Sequence, residues 1–195
     1  MFELKRTIAL ALLAALVPAA AVAQAAPETA EAQPAKYQVY AGFSYTSLNQ
    51  VDLSRHGLMG GKVTLTRDWG KYLGLMGTVD YDRVATGSGN PGNPSVYSVL
   101  AGPELHFDIY GPVSAQLFAE LGYEHTGGEN MSPNSSFAGG LGGGMSWRLS
   151  RRWAIRTTGD RVAASFSPNN NSPSLALSPH RSWNARATIG VVYSF

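Results

Sequence analysis

The sequence predicts an all-β fold, an eight-stranded antiparallel up-and-down β-barrel that crosses a bilayer. Three observations carry that expectation. From Tyr37 to Phe195, apolar and polar residues alternate through eight segments of about ten to thirteen residues, the period of a strand with two unlike faces. Those lengths exceed the roughly 5–6 residues of a soluble strand and match the roughly 9–11 of a tilted membrane-spanning one. Aromatic residues on the apolar face gather near the two ends of the segments, with Val, Leu, Ile, Ala, Gly and Met between them. Two membrane interfaces call for that sorting, and a soluble sandwich does not.

The elements follow in order. Met1 to Arg6 is basic and leads into an Ala- and Leu-rich run through Ala23, closed by Ala23-Gln24-Ala25-Ala26. This is the layout of an export signal, with cleavage expected after Ala25. Residues 1–25 are thus the signal, 26–36 a flexible periplasmic lead-in, and 37–195 the barrel domain. The first strand, Tyr37–Ser47, sets Tyr37, Val39, Ala41, Phe43 and Tyr45 against Gln38, Gly42, Ser44 and Thr46. The second, Leu58–Trp69, sets Val63 and Leu65 against Lys62, Thr64 and Thr66. The third, Lys71–Arg83, opposes Leu73, Leu75, Val79 and Tyr81 to Thr78, Asp80 and Asp82. The fourth, Val96–Phe107, opposes Tyr97, Val99, Leu105 and Phe107 to Ser98, Glu104 and His106, with Pro103 marking an expected bulge. The fifth, Ser114–Glu124, is the clearest: Ala115, Leu117, Ala119, Leu121 and Tyr123 face away from Gln116, Glu120 and Glu124.

The sixth strand, Phe137–Leu149, contains the run Gly139 to Gly144 with Leu141 in its middle. Its flanks keep the alternation, so the run reads as a thin-walled strand leaving interior room for its neighbours' side chains. The seventh, Trp153–Val162, is the weakest; parity turns Arg161 toward lipid, near the outer rim, where snorkelling keeps the cost small. The eighth, Trp183–Phe195, sets Ile189, Val191, Tyr193 and Phe195 against Asn184, Arg186 and Thr188.

Connections alternate between short and long. Short turns are expected at Asp68–Gly70, Asp108–Gly111 and Ser150–Arg152, and long loops at 48–57, 84–95, 125–136 and 163–182. An even strand count puts both termini at the short-turn end. A sheet in lipid must close, and eight strands close around packed side chains rather than a wide pore. The inward charges are Lys62, Arg148, Arg156, Arg186, Asp80, Asp82, Glu104, Glu120, Glu124 and Asp160, with Tyr40, Tyr72 and Phe118 filling space among them. Lys62, Asp80, Glu120, Asp160 and Arg186 fall at one middle level, and Arg156 and Glu104 below them, near His106 and Arg148. Buried charges must be paired, so this is read as a polar plug rather than an ion path.

Composition excludes several functions. The net charge of +2 gives no basic footprint for nucleic acid, and the absence of Cys removes disulfides and thiolate chemistry. The four His are scattered and no metal motif is present, so no catalytic, cofactor-binding or metal-ligating residue is assigned.

The segments Lys71-Tyr72-Leu73-Gly74-Leu75 and Leu100-Ala101-Gly102-Pro103-Glu104, the Arg156 and Asp160 pair, and the ending Gly190-Val191-Val192-Tyr193-Ser194-Phe195 carry a family resemblance. Over residues 37–195 the chain resembles the small eight-stranded outer-membrane barrels of Gram-negative bacteria, OmpA-like and OmpX-like, of the outer membrane protein beta-barrel domain kind. The resemblance implies a monomeric, non-catalytic barrel in the outer membrane with both termini periplasmic. Its partners would be outer-membrane lipid and lipopolysaccharide, together with the barrel-assembly machinery, which would read Ile189, Val191, Tyr193 and Phe195 as its signal. It implies no cofactor.

The function expected is structural or surface-interacting, through four extracellular loops. The longest of these carries Phe166, Leu175 and Leu177. One alternative is a narrow channel. Another is a lipid-modifying enzyme at the rim, using His125 with Ser132, Ser135 or Ser136. It is disfavoured because adjacent Glu124 points to the opposite face of the strand and cannot orient His125.

Overall fold

The computed structural model describes residues 37–49, 55–84, 95–128, 131–164 and 182–195. The expected leader, the lead-in and the loop residues Phe166, Leu175 and Leu177 lie outside the described residues. Eight strands follow one another: β1 (Tyr37–Asn49), β2 (Arg55–Trp69), β3 (Leu73–Val84), β4 (Ser95–Tyr110), β5 (Val113–Gly128), β6 (Met131–Arg148), β7 (Trp153–Ala164) and β8 (Ser182–Ser194). Each pairs antiparallel with its sequence neighbour, and β8 pairs with β1 to close the barrel. The seam is completed by two backbone hydrogen bonds, from Tyr37 N–H to the Phe195 carbonyl at 3.1 Å and from Phe195 N–H to the Tyr37 carbonyl at 2.9 Å.

The strands are tilted. Followed from partner to partner around the wall, the ladder leaves β1 at Tyr37 opposite Arg67 and returns to it at Ser47 opposite Ala185, ten residues further on. That stagger sets the tilt, and a barrel of eight strands encloses a lumen of a width that side chains fill.

The two faces are inverted relative to a soluble protein. Val63, Leu65, Leu75, Val79, Leu117, Leu121, Ile189 and Val191 are exposed on the outside, whereas Lys62, Asp80, Glu104, Glu120, Arg156, Asp160 and Arg186 are buried within. Aromatic residues flank the outer aliphatic band. At the short-turn end Phe195 stacks on Tyr37 and Tyr193, with centroids 5.8 and 6.0 Å apart, and Trp153 lies 4.9 Å from Tyr193. At the other end Tyr123 meets Phe137 edge-on at 6.2 Å. The short turns rest on Gly70 and Gly111, whose φ values of 75° and 53° are left-handed conformations that glycine adopts without steric cost.

Several expectations need correction. The loop expected at 125–136 is mostly strand: β5 runs to Gly128 and β6 starts at Met131, with His125 opposite Ser135 and Thr126 opposite Asn134. These residues are polar because they lie beyond the apolar band, where the outer face of a strand need not be greasy. Pro103 makes no bulge. Pairing to β5 skips Gly102 and Pro103 and resumes at Glu104 in the same register, so the missing N–H interrupts the ladder without shifting it; the shifts lie at Asp108/Tyr110 and Thr126/Gly128. Tyr72 sits in the β2–β3 turn, 56% exposed, and Arg148 is also exposed; neither fills the lumen. The glycine run is strand throughout. A Cβ on Gly142 would come within 2.5 Å of the Phe118 ring, so the missing side chain is the space that ring occupies.

Candidate functional site: the layered lumen

Alternation along each strand delivers one inward side chain every second residue, and the tilt stacks these into layers. Nearest the short turns, Arg156 is held on three sides. Its Nε donates to Ser146 Oγ at 2.9 Å, one terminal nitrogen to Gln38 Oε1 at 2.8 Å, and the other to Glu104 Oε1 at 3.5 Å. Thr66 donates to Glu104 Oε2 at 2.9 Å, and Gln38 donates onward to Asp68 Oδ2 at 2.8 Å. His106 Nε2 lies 3.0 Å from Asp68 Oδ1 and 3.9 Å from Glu104 Oε2.

Above this floor is a neutral belt. Tyr40 donates to Thr188 at 2.8 Å, Thr188 meets Thr158 at 2.6 Å, and Thr64 meets Thr78 at 3.1 Å. A cavity of about 10 Å³ lies between floor and middle, lined among others by Tyr40, Lys62, Glu104, Phe118 and Arg156. It has room for one water.

The middle layer is built on Arg186. Its guanidinium donates from Nε to Asp160 Oδ2 at 2.8 Å and lies 2.6 Å from the same oxygen through Nη2. It reaches Asp80 at 3.4 Å, Glu120 at 3.8 Å and the Ser98 hydroxyl at 3.3 Å. Lys62 completes the layer, 3.7 Å from Asp160 and 5.3 Å from the Phe118 ring centroid. Among the described residues, neither carboxylate oxygen of Glu120 has a hydrogen bond, nor does Lys62 Nζ. The separations of 3.4–3.8 Å are those of ion pairs and lie beyond the usual hydrogen-bond range. Higher still, Asp82 accepts from Ser44 and Thr46, and Asn184 donates to Glu124 at 3.4 Å.

The lumen is then closed by an apolar cap of Leu58, Val84, Val96, Leu100, Ala138, Val162 and Ala164. A charge network beneath a dry lid is shielded from bulk water, which strengthens its ion pairs and raises the cost of leaving any group unpaired.

The structure brings together all five residues expected in the middle layer. It joins Arg156, Glu104 and His106 in the floor and leaves Arg148 out. Asp68, expected in a turn, is part of the floor. The cap was not foreseen either, although Leu58, Val84, Val96 and Val162 share the parity of the buried acids and could have been counted inward on that signal. On the outer surface, His125 Nδ1 lies 2.7 Å from Ser135 Oγ, while Glu124 is buried on the opposite face, as strand parity requires. Among the described residues there is no group of three or more His, Cys, Asp or Glu that could hold a metal ion.

The same fold occurs in solved structures. Neisserial surface protein A matches with a TM-score of 0.66 at 15% identity, over 82% of this chain and 97% of that one. The attachment invasion locus protein Ail of Yersinia pestis matches with a TM-score of 0.56 at 15% identity, over 84% and 100%. The N-terminal β-barrel domain of Pseudomonas aeruginosa OprF matches with a TM-score of 0.51 at 12% identity, over 84% and 100%. Identities this low establish a shared fold. No curated protein sequence matches significantly. The family model described as "Outer membrane protein beta-barrel domain" matches residues 8–195, extending into the segment expected to be the leader. The closed wall, the lipid-facing exterior and this match identify the chain as a member of the outer membrane protein beta-barrel domain family.

Proposed function

We propose that this protein is a non-enzymatic, non-conducting barrel of the outer membrane, with its short turns and both termini periplasmic and its activity carried by the surface at the long-loop end. Residues 1–25 act as a cleaved export signal in this reading, and the barrel works as a monomer. The observation that supports it is the occupied lumen: Arg186 and Lys62 cross the middle among three carboxylates, over a cavity for one water and under an apolar cap. A solute would have to displace paired buried charges, which is costly.

Planar-bilayer recording of the refolded barrel tests the closed lumen. No sustained conductance is expected; steady ohmic steps that persist in Phe118→Ala and wild type alike would establish a channel. Orientation is tested separately, because the chain has no Cys. A cysteine introduced at Asn170 is expected to react with a membrane-impermeant maleimide on intact cells, and one at Gly111 is not. The reverse pattern would place the short turns outside.

The His125–Ser135 hydrogen bond is the one feature favouring a hydrolytic rim site. Among the described residues no carboxylate shares that outer face near it to orient the imidazole. Release of fatty acid from lipopolysaccharide that disappears in His125→Ala would reinstate an enzyme.

A further inference from the structure

The two charged layers of the lumen differ in access. The middle layer lies between the floor and the apolar cap, and its charged side chains are buried. In the floor, the His106 side chain keeps 18% of its surface exposed beside the short turns, so bulk protons can reach it. Its backbone N–H donates to the Tyr72 carbonyl in the β2–β3 turn at 2.8 Å, which ties this end of β4 to that turn.

The imidazole faces two carboxylates and one cation. Its Nε2 lies 3.0 Å from Asp68 Oδ1 on β2 and 3.9 Å from Glu104 Oε2 on β4. Arg156 on β7 is the other charge acting on it. The remaining floor partners, Gln38 on β1, Thr66 on β2 and Ser146 on β6, are neutral. So is Gln116, opposite His106 on β5. Nε2 and Asp68 Oδ1 are both buried, and neither has a hydrogen-bond partner elsewhere among the described residues. A bare nitrogen lone pair facing a carboxylate oxygen at that distance is repulsive, so Nε2 carries a hydrogen. Charge then selects the state of the ring. Asp68 and Glu104 against Arg156 leave one negative charge over in the floor, and an imidazolium balances it.

Gly74 on β3 is a second, independent observation. It is opposite Asp68 on β2 and Glu104 on β4. Its backbone is not left-handed, yet a Cβ there would stand 3.0 Å from His106 Nε2 and 3.1 Å from Asp68 Oδ1. The missing side chain is therefore the room in which the ring meets the carboxylate. Glycine weakens a strand interior, and here that weakness is offset by the contact it admits.

We propose that His106 is a proton-operated latch at the short-turn mouth of the barrel. With its proton, the ring joins β4 to Asp68 on β2 and balances the charge of the floor. Without it, the floor holds an uncompensated carboxylate and that end of the barrel loosens. Only the imidazolium supplies the charge, so the contribution is complete in acid and fades as pH rises. Which compartment's acidity the latch reads rests on the orientation proposed above; with the short turns periplasmic, it reads the periplasm.

The test is urea unfolding of the refolded full barrel in lipid vesicles, from about pH 6 to about pH 8.5, with the heat-dependent gel shift verifying that each variant is folded. Other lumen carboxylates also titrate, so the readout is the difference between wild type and His106→Gln. Across that range the wild-type folding equilibrium is expected to fall by about tenfold more than that of His106→Gln, the size of one group titrating in a favourable pair. A histidine that merely filled space would shift stability equally at every pH. Asp68→Asn is expected to remove most of the difference, and Gly74→Ala to reduce it by pressing the ring away from the carboxylate. His125→Ala, on the outer face beside Ser135, should keep the wild-type profile. Nitrogen NMR of histidine-labelled barrel is expected to show both His106 ring nitrogens protonated at about pH 7, where a free imidazole is mostly neutral, the signal being assigned by its loss in His106→Gln. Parallel pH profiles for wild type and His106→Gln, a neutral His106 ring at about pH 7, or loss of the difference in His125→Ala would each overturn the proposal. These readouts do not depend on orientation, so their failure counts against the latch, whereas the maleimide experiment alone decides which compartment it faces.

Discussion

Arg156 and Arg186 are both buried guanidiniums in one lumen, held in opposite ways. Arg156 shares its donors among two neutral side chains and one carboxylate at hydrogen-bond distances. Arg186 has one close carboxylate, Asp160, and two more at 3.4 and 3.8 Å. The floor is a hydrogen-bonded lattice that happens to be charged. The middle is a charge cluster with few direct hydrogen bonds. In the floor, geometry is fixed by many weak directional contacts and no single group dominates. In the middle, Arg186 is paired with all three mutually repelling anions and Lys62 with Asp160, so the layer depends most on Arg186.

Arg186→Met is the sharpest way to break the contrast. It leaves Asp80, Glu120 and Asp160 with Lys62 as the remaining nearby cation, and a loss of about 3–5 kcal/mol is expected, the cost of stranding buried charge. Urea unfolding of the barrel in lipid vesicles, read by the heat-dependent gel shift, would measure it. Arg156→Met is expected to cost less, about 2–3 kcal/mol, because one carboxylate is stranded and Thr66 still donates to it. Adding Glu104→Gln is expected to restore part of that loss, whereas adding Glu120→Gln to Arg186→Met should recover little while Asp160 and Asp80 stay charged. Equal rescue in both layers would erase the distinction.

A double-mutant cycle refines it further. Coupling of Arg186 to Asp160 is expected near the upper part of the roughly 0.5–3 kcal/mol range for contacting pairs, and coupling to Glu120 near its lower part. Additive losses for Asp160 and Arg186 would contradict the geometry. The smallest effect is expected outside the network: Phe195→Ala should cost about 1 kcal/mol through lost stacking on Tyr37 and Tyr193. A much larger loss there would show that the seam, and not the lumen, limits stability.

Parity made most of this legible. Once Leu117 and Glu120 are assigned to opposite faces, period two fixes the direction of every residue on that strand, and similar counting from the turns places Lys62, Asp80, Glu120, Asp160 and Arg186 at one height. Errors arose where a strand leaves the membrane. Beyond the aromatic ring the outer face turns polar and the inner face apolar, so residues 125–136 read as a loop and Leu58, Val84 and Val96 give no sign of a lid. Tyr72 and Arg148 failed at the other end because parity gives a direction and not a depth: Tyr72 lies in the turn before β3, and Arg148 is the last paired residue of β6, at the rim where its side chain stays exposed. Which oxygen each cation chooses was never in the pattern, because it depends on side-chain reach across the lumen.

The pairing of Tyr37 with Phe195 also has a kinetic meaning. The hydrogen bonds that seal the wall join the two ends of the whole barrel segment, so they have the longest possible loop to close and the highest entropic barrier to form. Until β8 arrives, β1 and β7 are both unpaired edges that lipid cannot satisfy. Partial insertion is therefore worth little, and assembly should behave as a concerted event in which strands cross the bilayer together with closure. Mutations along the β1–β8 seam should slow the appearance of folded protein far more than they speed its loss.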